Sequence, residues 1–217
     1  IVTSGKGVAQ ERELATIGAA VATIHHDTDL NRCVSLGILT LEQIKQLKGQ
    51  GLNRLHHNLE TAASFFANIC TTHSYQERLQ TIRYAKEAGL QVCSGGIFGL
   101  GETPEQRVEL GLTLRELQVE SIPINILNPI TGTPAAENYR PIPPLAVLKL
   151  IATYRFLLPK ADIGVFGGRE RALRQLQPLM FLAGANSLLI GNYLTTAGRS
   201  PEDDLRMISD LGLEIDR

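Results

Sequence analysis

Apolar residues recur along the chain in two alternating patterns. Short runs rich in β-branched residues are followed by amphipathic stretches, and each pair has about the length of one βα unit. The runs predict seven strands, at residues 1–4, 32–36, 54–59, 91–97, 121–127, 162–166 and 187–191. The stretches between them predict six helices. Such alternation indicates one parallel sheet covered by helices.

Residues that favour helix ends mark the boundaries of these helices. Gly51 and Gly89 stand where the end of a helix needs left-handed backbone. Three pairs have the spacing of a capping box: Thr40 with Gln43, Ser74 with Glu77, and Thr103 with Gln106. The first helix has one apolar face for packing on the sheet, formed by Leu14, Ile17, Val21 and Ile24.

No linker rich in proline or serine divides the chain, so residues 1–217 are predicted to form a single α/β domain. Both an open doubly wound sheet and a (β/α) barrel of the TIM type fit the alternation. Several predicted strands carry polar or reactive residues on one alternating face, which is typical of strands around a shared central cavity. We therefore predict the barrel.

Composition narrows the classes of partner. The net charge is -1 at pH 7, whereas an electrostatic hold on nucleic acid needs a clustered basic face. No apolar stretch approaches the ~20 residues of a membrane span, so we expect neither nucleic acid nor a membrane as partner. Three unevenly spaced cysteines, Cys33, Cys70 and Cys93, argue against a disulfide framework and favour the cytoplasm. The start at Ile1 predicts a chain entered in mid-domain.

Residues 54–60 place a polar row on one face of a predicted strand. The alternation puts His56, Asn58 and Glu60 on one side, and apolar neighbours with His57 on the other. Parallel strands are normally apolar on both faces, so a polar row needs partners. An internally satisfied hydrogen-bond network is one interpretation. We favour a ligand-binding face.

Cys33 and Cys93 lie in separate predicted strands, each followed by small residues. A buried strand cysteine is most often a small hydrophobe, but two could aim thiolates into one cavity and hold a soft metal centre. Two thiolates cannot close a four-ligand site. No catalytic role is predicted for Cys70, and the sequence His25-His26-Asp27 is interpreted as a solvated helix end.

Glycines from Gly95 to Gly101 run from a strand into a helix start, where free N–H groups attract polar ligand atoms. A tight structural turn explains the same string equally well. Asn125 is a polar residue inside an otherwise apolar strand, and it needs a hydrogen-bond partner.

Taken together, six ordered segments resemble the biotin synthases: HNLET at 57–61, CTTHSYQER at 70–78, VCSGGI at 92–97, GLGET at 99–103, PIN at 123–125 and AGANS at 183–187. The resemblance covers nearly the whole chain. It implies a radical-SAM enzyme with a (β/α)8 barrel, usually dimeric, that inserts sulfur into dethiobiotin. Because the chain starts in mid-domain, we expect it to lack roughly the first βα unit of that barrel.

The resemblance also assigns roles to individual residues. It implies that S-adenosylmethionine is bound by Asn58, Glu60, Gly95, Ile97, Gly99 and Glu102. Dethiobiotin would be contacted by His56, Asn58 and Asn125. Cys33 and Cys93 match two ligands of an auxiliary iron–sulfur cluster that donates the sulfur.

Departures from the family pattern are equally specific. The Cys-x3-Cys-x2-Cys motif that holds the [4Fe–4S] cluster does not occur, so its ligands would lie outside this chain and the chain alone is expected to be inactive. Gly164 stands where an arginine of the auxiliary site is usual, and His56 replaces a usual asparagine. These differences leave the type of auxiliary cluster open.

The resemblance further implies a reducing electron carrier of the flavodoxin or ferredoxin type and a homodimer. Two other interpretations remain open. One is a related radical-SAM maturase or mutase with a different substrate, which His56 and Gly164 favour and the set Cys33, Cys93 and Asn125 opposes. The other is a non-catalytic partial barrel.

Overall fold

The computed structural model describes residues 1–133, 136, 141–193 and 197–216. Within them, one parallel sheet contains seven strands. They are β1 (Cys33–Val34), β2 (Arg54–His56), β3 (Gln91–Cys93), β4 (Gly96–Phe98), β5 (Ser121–Ile126), β6 (Asp162–Val165) and β7 (Ser187–Leu188).

Helices follow most strands and cover the sheet. The described helices are α1 (Glu11–Asp27), α2 (Leu41–Gly49), α3 (Ala63–Phe66), α4 (Tyr75–Glu87), α5 (Pro104–Glu116), α6 (Pro144–Leu157), α7 (Arg169–Leu173), α8 (Leu179–Leu182) and α9 (Pro201–Asp210). A short 3₁₀ turn, Arg174–Leu176, follows α7. Among these helices, none has the length and apolar character needed to cross a membrane.

The strands are ordered along the sheet as they are along the chain. The path runs β1, β2, β3, β5, β6 and β7, and β4 pairs with β5 next to β3. A doubly wound sheet would reverse direction at a switch point, whereas sequential parallel strands are the arrangement of a (β/α) barrel. The predicted barrel-type fold is therefore confirmed. Within the described residues, β7 and β1 do not pair with each other.

The predicted capping boxes are present at the starts of three helices. Thr40, Ser74 and Thr103 each accept a hydrogen bond from the backbone of the residue three positions later, whose side chain accepts in return. Each box satisfies N–H groups that the helix leaves free. The left-handed backbone expected at Gly51 and Gly89 is also present, with φ of 97° and 72°.

Two predicted strands differ from the structure. Residues 1–4 form only an isolated bridge, between Val2 and Ser35. Residues 91–97 are divided into β3 and β4, although both keep the same register with β5. The break lies opposite Pro123, which has no N–H to donate to the neighbouring strand. An ideal Cβ at Gly95 would also come within 2.0 Å of the Pro123 carbonyl oxygen, so the chain can pass there only without a side chain.

The hydrophobic core lies between the sheet and the surrounding helices. The first helix buries Leu14, Ile17 and Val21 as predicted, while Ile24 is only partly covered. Further along the same outer face of the sheet, Phe98 packs edge-on against Tyr154 with ring centroids 5.8 Å apart. The outer faces of the strands are thus apolar, which leaves polar residues on the inner face.

Candidate functional site

The inner face of the sheet surrounds a cavity of about 1760 Å³. Its lining includes residues from the amino ends of strands, such as Cys33 and Asp162, and from loops at their carboxyl ends, such as Asn128 and Tyr193. The cavity therefore has a floor near the amino ends and a rim at the carboxyl ends, where barrel enzymes keep their sites.

The polar row of β2 faces this cavity. His56, Asn58 and Glu60 all line it, whereas Leu55, His57 and Leu59 are buried on the opposite face. The alternation predicted from the sequence is confirmed. The ladder continues beyond the strand itself, because Leu59 N donates to Gly95 O at 3.0 Å.

Glu60 has the features of a residue held for a ligand. Its backbone lies in the left-handed region with φ of 69°, a conformation that costs energy for a residue with a side chain. Arg78 Nη1 lies 3.4 Å from Glu60 Oε1, and Glu60 Oε2 is buried without a hydrogen-bond partner among the described residues. Burial raises the pKa of the carboxyl, and Arg78 and Asn58 partly oppose that rise. A ligand that donates hydrogen bonds would satisfy the free oxygen.

Two asparagine amides line the cavity on either side of the turn between β3 and β4. Asn58 Oδ1 accepts from Gly95 N at 3.1 Å, which ties β2 to the turn between β3 and β4. Asn125 Oδ1 accepts from Gly167 N at 3.0 Å, and its Nδ2 donates to Gly96 O at 3.4 Å. Both amides are therefore fixed by backbone groups, so the donors and acceptors that they have left for a ligand point in defined directions.

The floor of the cavity contains the two predicted thiols and an imidazole. His56 is paired in register with Cys93, and Cys33 with Arg54 on the same face of the sheet. His56 Nδ1 lies 3.2 Å from Cys93 Sγ. The structure therefore brings Cys33, Cys93 and His56 to one part of the cavity lining.

Burial dominates the ionisation of this group. It raises the pKa of the Cys93 thiol to about 11, with Ser121 and Arg54 opposing and Cys33 adding to the rise. It also raises the pKa of the Cys33 thiol and lowers the pKa of His56. At neutral pH the floor thus holds thiols and a neutral imidazole, and a bound soft cation would favour the thiolates.

At Gly164, strand β6 has no side chain that could bind a ligand or a metal centre. Gly164 pairs with Pro123 and Ser187, both of which line the cavity. An ideal Cβ at Gly164 would lie 2.5 Å from Ser187 O and 2.7 Å from Phe166 Cε1. A larger side chain at this position would therefore displace its neighbours. The described residues also contain no cluster of three or more His, Cys, Asp or Glu side chains arranged around one ion.

The other residues expected to bind S-adenosylmethionine surround the same turn, but not all face the cavity. Ile97 lines it. Gly95 and Gly99 shape the backbone, Gly99 with φ of 96°. Glu102 is buried and accepts from Gly99 N, Leu100 N and Arg107 Nε at 2.8–3.1 Å. In this structure, Glu102 therefore holds the turn closed.

Sequence reasoning did not single out Arg78 as a site residue. Its guanidinium donates to Asn58 O at 2.7 Å and to His73 Nε2 at 2.8 Å, and it is the cationic partner of Glu60. Arg78 lies on α4, and only the docking of that helix brings it to β2. Cys70 lies beside His73 in the preceding loop, with Sγ 3.5 Å from the His73 Nδ1 atom. His25 and His26 are exposed at the end of α1, as predicted.

Comparison with known families identifies the class of protein. The family profile described as "Radical SAM superfamily" matches residues 9–113, and the one described as "Biotin and Thiamin Synthesis associated domain" matches residues 123–214. Together with the sequentially ordered parallel strands, these matches define a radical-SAM protein. A biotin synthase of Geobacter sulfurreducens is 57% identical over 215 residues, which is 99% of this chain. The chain belongs to the biotin synthase family.

Other relatives agree with this family. A biotin synthase of Syntrophotalea carbinolica is 52% identical over 217 residues, or 100% of this chain. One of Heliobacterium modesticaldum is 52% identical over 215 residues, or 99% of the chain. This chain spans 65%, 66% and 65% of the lengths of these three relatives.

Solved structures support the fold alone. Methylornithine synthase superposes with a TM-score of 0.79 at 22% identity, covering 95% of this chain and 65% of that one. A maturase of the [FeFe]-hydrogenase superposes with a TM-score of 0.76 at 20% identity, covering 92% of this chain and 49% of its own.

Proposed function

We propose that the protein containing this chain is a radical-SAM sulfurtransferase that converts dethiobiotin into biotin, the last step of biotin biosynthesis. The observation that carries the proposal is the cavity itself. Its rim holds fixed polar groups for organic ligands, whereas its floor holds two thiols suited to an iron–sulfur centre. Relatives named biotin synthase, at 52–57% identity, share this sequence almost from end to end.

In this proposal Glu60 and Asn58 bind S-adenosylmethionine. The free Glu60 Oε2 is buried and acceptor-only, so it suits the hydroxyl donors of a ribose. Arg78 keeps the carboxylate oriented through Oε1. Ile97 adds an apolar contact to the nucleoside, while Gly95, Gly99 and Glu102 shape the turn that carries it.

Dethiobiotin would bind between the two asparagines. A cyclic urea offers one carbonyl acceptor and two N–H donors, and an amide side chain can both donate to it and accept from it. Asn58 and Asn125 are fixed on either side of the turn between β3 and β4, so together they would orient the ring. His56 lies below Asn58 on the same face and would contact the part of the substrate nearest the floor.

The cofactors are proposed from the family and from the donor set. When bound, S-adenosylmethionine and its [4Fe–4S] cluster supply the one-electron chemistry that removes hydrogen atoms from unactivated carbons. The Cys-x3-Cys-x2-Cys ligands of that cluster are not among the three cysteines of this chain. Cys33 and Cys93 would hold an auxiliary iron–sulfur centre as the sulfur source. They supply two of its ligands, and Gly164 has no side chain to add another.

The role of the protein is then largely placement. Sulfur insertion replaces two C–H bonds of dethiobiotin by two C–S bonds, so the reacting carbons must face the sulfur source and little else. A cavity with substrate groups at the rim and thiols at the floor meets that need. General acid–base catalysis is secondary.

Partners and location are proposed on the same basis. A reducing electron carrier of the flavodoxin or ferredoxin type and a homodimer follow from the family. The free cysteines suit the reducing cytoplasm. We also treat residues 1–217 as one domain, because one sheet runs through the regions matched by both family profiles.

A radical-SAM enzyme with another substrate is the second candidate. His56 and Gly164 are the observations that favour it, since both depart from the usual auxiliary site. The thiols on the floor oppose it, because a mutase has no need of a sulfur source at that position.

The test is anaerobic expression of the complete gene product, followed by iron and sulfide analysis, Mössbauer spectroscopy and a single-turnover assay on dethiobiotin. We expect two distinct clusters and the formation of biotin. One cluster, with release of deoxyadenosine but no biotin, would instead support the enzyme with a different substrate. Absence of both deoxyadenosine and biotin would point to a non-catalytic barrel.

A further inference from the structure

The His56 ring, on the floor of the cavity, contacts a thiol rather than a polar group of the rim. Its Nδ1 lies 3.2 Å from Cys93 Sγ, within the range of a hydrogen bond to sulfur. Register explains the contact, because His56 and Cys93 are directly opposite each other on neighbouring parallel strands and both face the cavity. Two stiff strands hold the pair, so the contact does not depend on a mobile loop.

The backbone of the same residue approaches the second thiol. Burial raises the pKa of the Cys33 thiol and the His56 backbone opposes that rise, so one residue acts on both thiols of the floor. The ring itself is half-buried and reaches only the floor with Nδ1. Nε2 is left for the substrate contact proposed above.

On the neighbouring strands β5 and β6, Ser121 and Asp162 lie at the same height as Cys93. Burial raises the pKa of the Cys93 thiol; the Ser121 side chain opposes that rise and the Asp162 carboxylate adds to it. Gly164, two residues further along its own strand from the level of Ser121, has no space for a side chain. At the height of Cys93, His56 Nδ1 lies within hydrogen-bond distance of Cys93 Sγ, at 3.2 Å.

We propose that His56 donates a hydrogen bond from Nδ1 to the sulfur of Cys93 and thereby sets the reduction potential of the iron–sulfur centre that Cys93 ligates. The inference rests on the proposed function, since it requires that centre. His56 is a positioning residue here and not a ligand. Reduction adds negative charge to the cluster and its thiolates, and an N–H donor stabilises that charge. The hydrogen bond therefore raises the potential and makes the centre easier to reduce.

The test compares wild type with His56→Leu and His56→Asn in the complete, anaerobically reconstituted protein. Potentiometric titration followed by electron paramagnetic resonance should give a more negative midpoint potential for the auxiliary centre in His56→Leu. His56→Asn keeps an N–H donor on a shorter side chain and should recover part of the shift. His26→Leu, an exposed histidine on α1 with 89% of its side chain accessible, is the matched control and should leave the potential unchanged.

A second readout separates a hydrogen bond from direct ligation. Pulsed electron paramagnetic resonance of protein labelled with ¹⁵N-histidine should detect a weak nitrogen coupling to the auxiliary centre, which His56→Leu abolishes. A strong coupling, typical of a coordinated imidazole, would overturn the inference. So would the absence of any coupling together with an unchanged potential in His56→Leu.

These outcomes are distinguishable from failure of the proposed function. If biotin forms and the potential does not respond to His56, the inference is wrong and the function stands. If no auxiliary centre assembles in wild type and no biotin forms, both are wrong. Iron and sulfide content, measured for each variant, separates loss of the centre from a change in its potential, and His56→Asn provides the comparison if His56→Leu assembles poorly.

Discussion

At the scale of single residues, Glu60 combines strain with an unsatisfied atom. A left-handed backbone and a buried oxygen without a partner both cost free energy, and a ligand that donates to the carboxylate would remove the second cost. The inward direction of Glu60 was predictable from alternation along β2. Its free oxygen was not, because that depends on how Arg78 arrives from α4.

We expect Glu60→Gln to weaken binding of S-adenosylmethionine by about tenfold or more, since a hydrogen bond to a charged group is worth roughly 1.5–3 kcal/mol. Equilibrium dialysis on the complete, cluster-loaded protein measures it. Glu109→Gln is the control, because that carboxylate bonds Ser64 outside the cavity. Equal affinity of Glu60→Gln and wild type for S-adenosylmethionine would show that Glu60 does not bind it.

At the scale of elements, helix starts were predictable because their signals are local. A capping box needs only residues three positions apart, and all three predicted boxes are present. The division of residues 91–97 was missed for the opposite reason. It follows from Pro123 on the neighbouring strand, which the sequence of residues 91–97 does not contain.

The start of α4 has a consequence for pH dependence. The Glu77 carboxylate accepts a hydrogen bond from the backbone N of Ser74 at 2.7 Å, and the Lys6 ammonium lies 3.0 Å from its other oxygen. These contacts lower the pKa of Glu77 to about 2. A carboxyl with a depressed pKa stabilises the fold above its unfolded pKa near 4.5, and the contribution is lost as pH falls toward 2.

Glu77→Gln should therefore have a lower thermal midpoint than wild type at pH 7, with the gap closing between about pH 4.5 and pH 2. Circular dichroism melts across this range measure it. Lys6→Met removes only the ion pair and should reproduce part of the effect. A gap that stays constant with pH would show that the Glu77 charge does not matter.

At the scale of the whole molecule, a buried ion pair joins distant parts of the chain. Arg169, at the start of α7, forms a two-pronged contact with Asp204 of α9, at 3.0 and 2.6 Å. Their side chains are 1% and 0% exposed. The pair connects the Gly167 turn, which bonds Asn125, to the helix that follows β7. It therefore links one wall of the cavity to the end of the described chain.

We expect Arg169→Met to destabilise the fold by about 3–5 kcal/mol, because it leaves the Asp204 carboxylate buried without its main partner. Denaturant unfolding measures the free energy. The exposed pair Arg206–Asp203, at 3.7 Å, is the matched control, and Arg206→Met should cost at most about 1 kcal/mol.

The double variant Arg169→Met with Asp204→Leu supplies the remaining comparison. It removes both charges, so it should be less destabilised than the sum of the two single variants. Additive effects, or a cost for Arg169→Met as small as that for Arg206→Met, would show that the pair does not couple α7 to α9.

The alternation of strands and helices, the capped helix starts and the inward face of β2 could all be predicted from the sequence. These depend on spacings of two to four residues, which the backbone geometry of each element imposes locally. Which groups contact one another depends on the tertiary structure: His56 contacts Cys93, Arg78 contacts Glu60, and Asn125 contacts Gly167. Those pairs are 18 to 42 residues apart, and they form because strand register and helix docking bring them together.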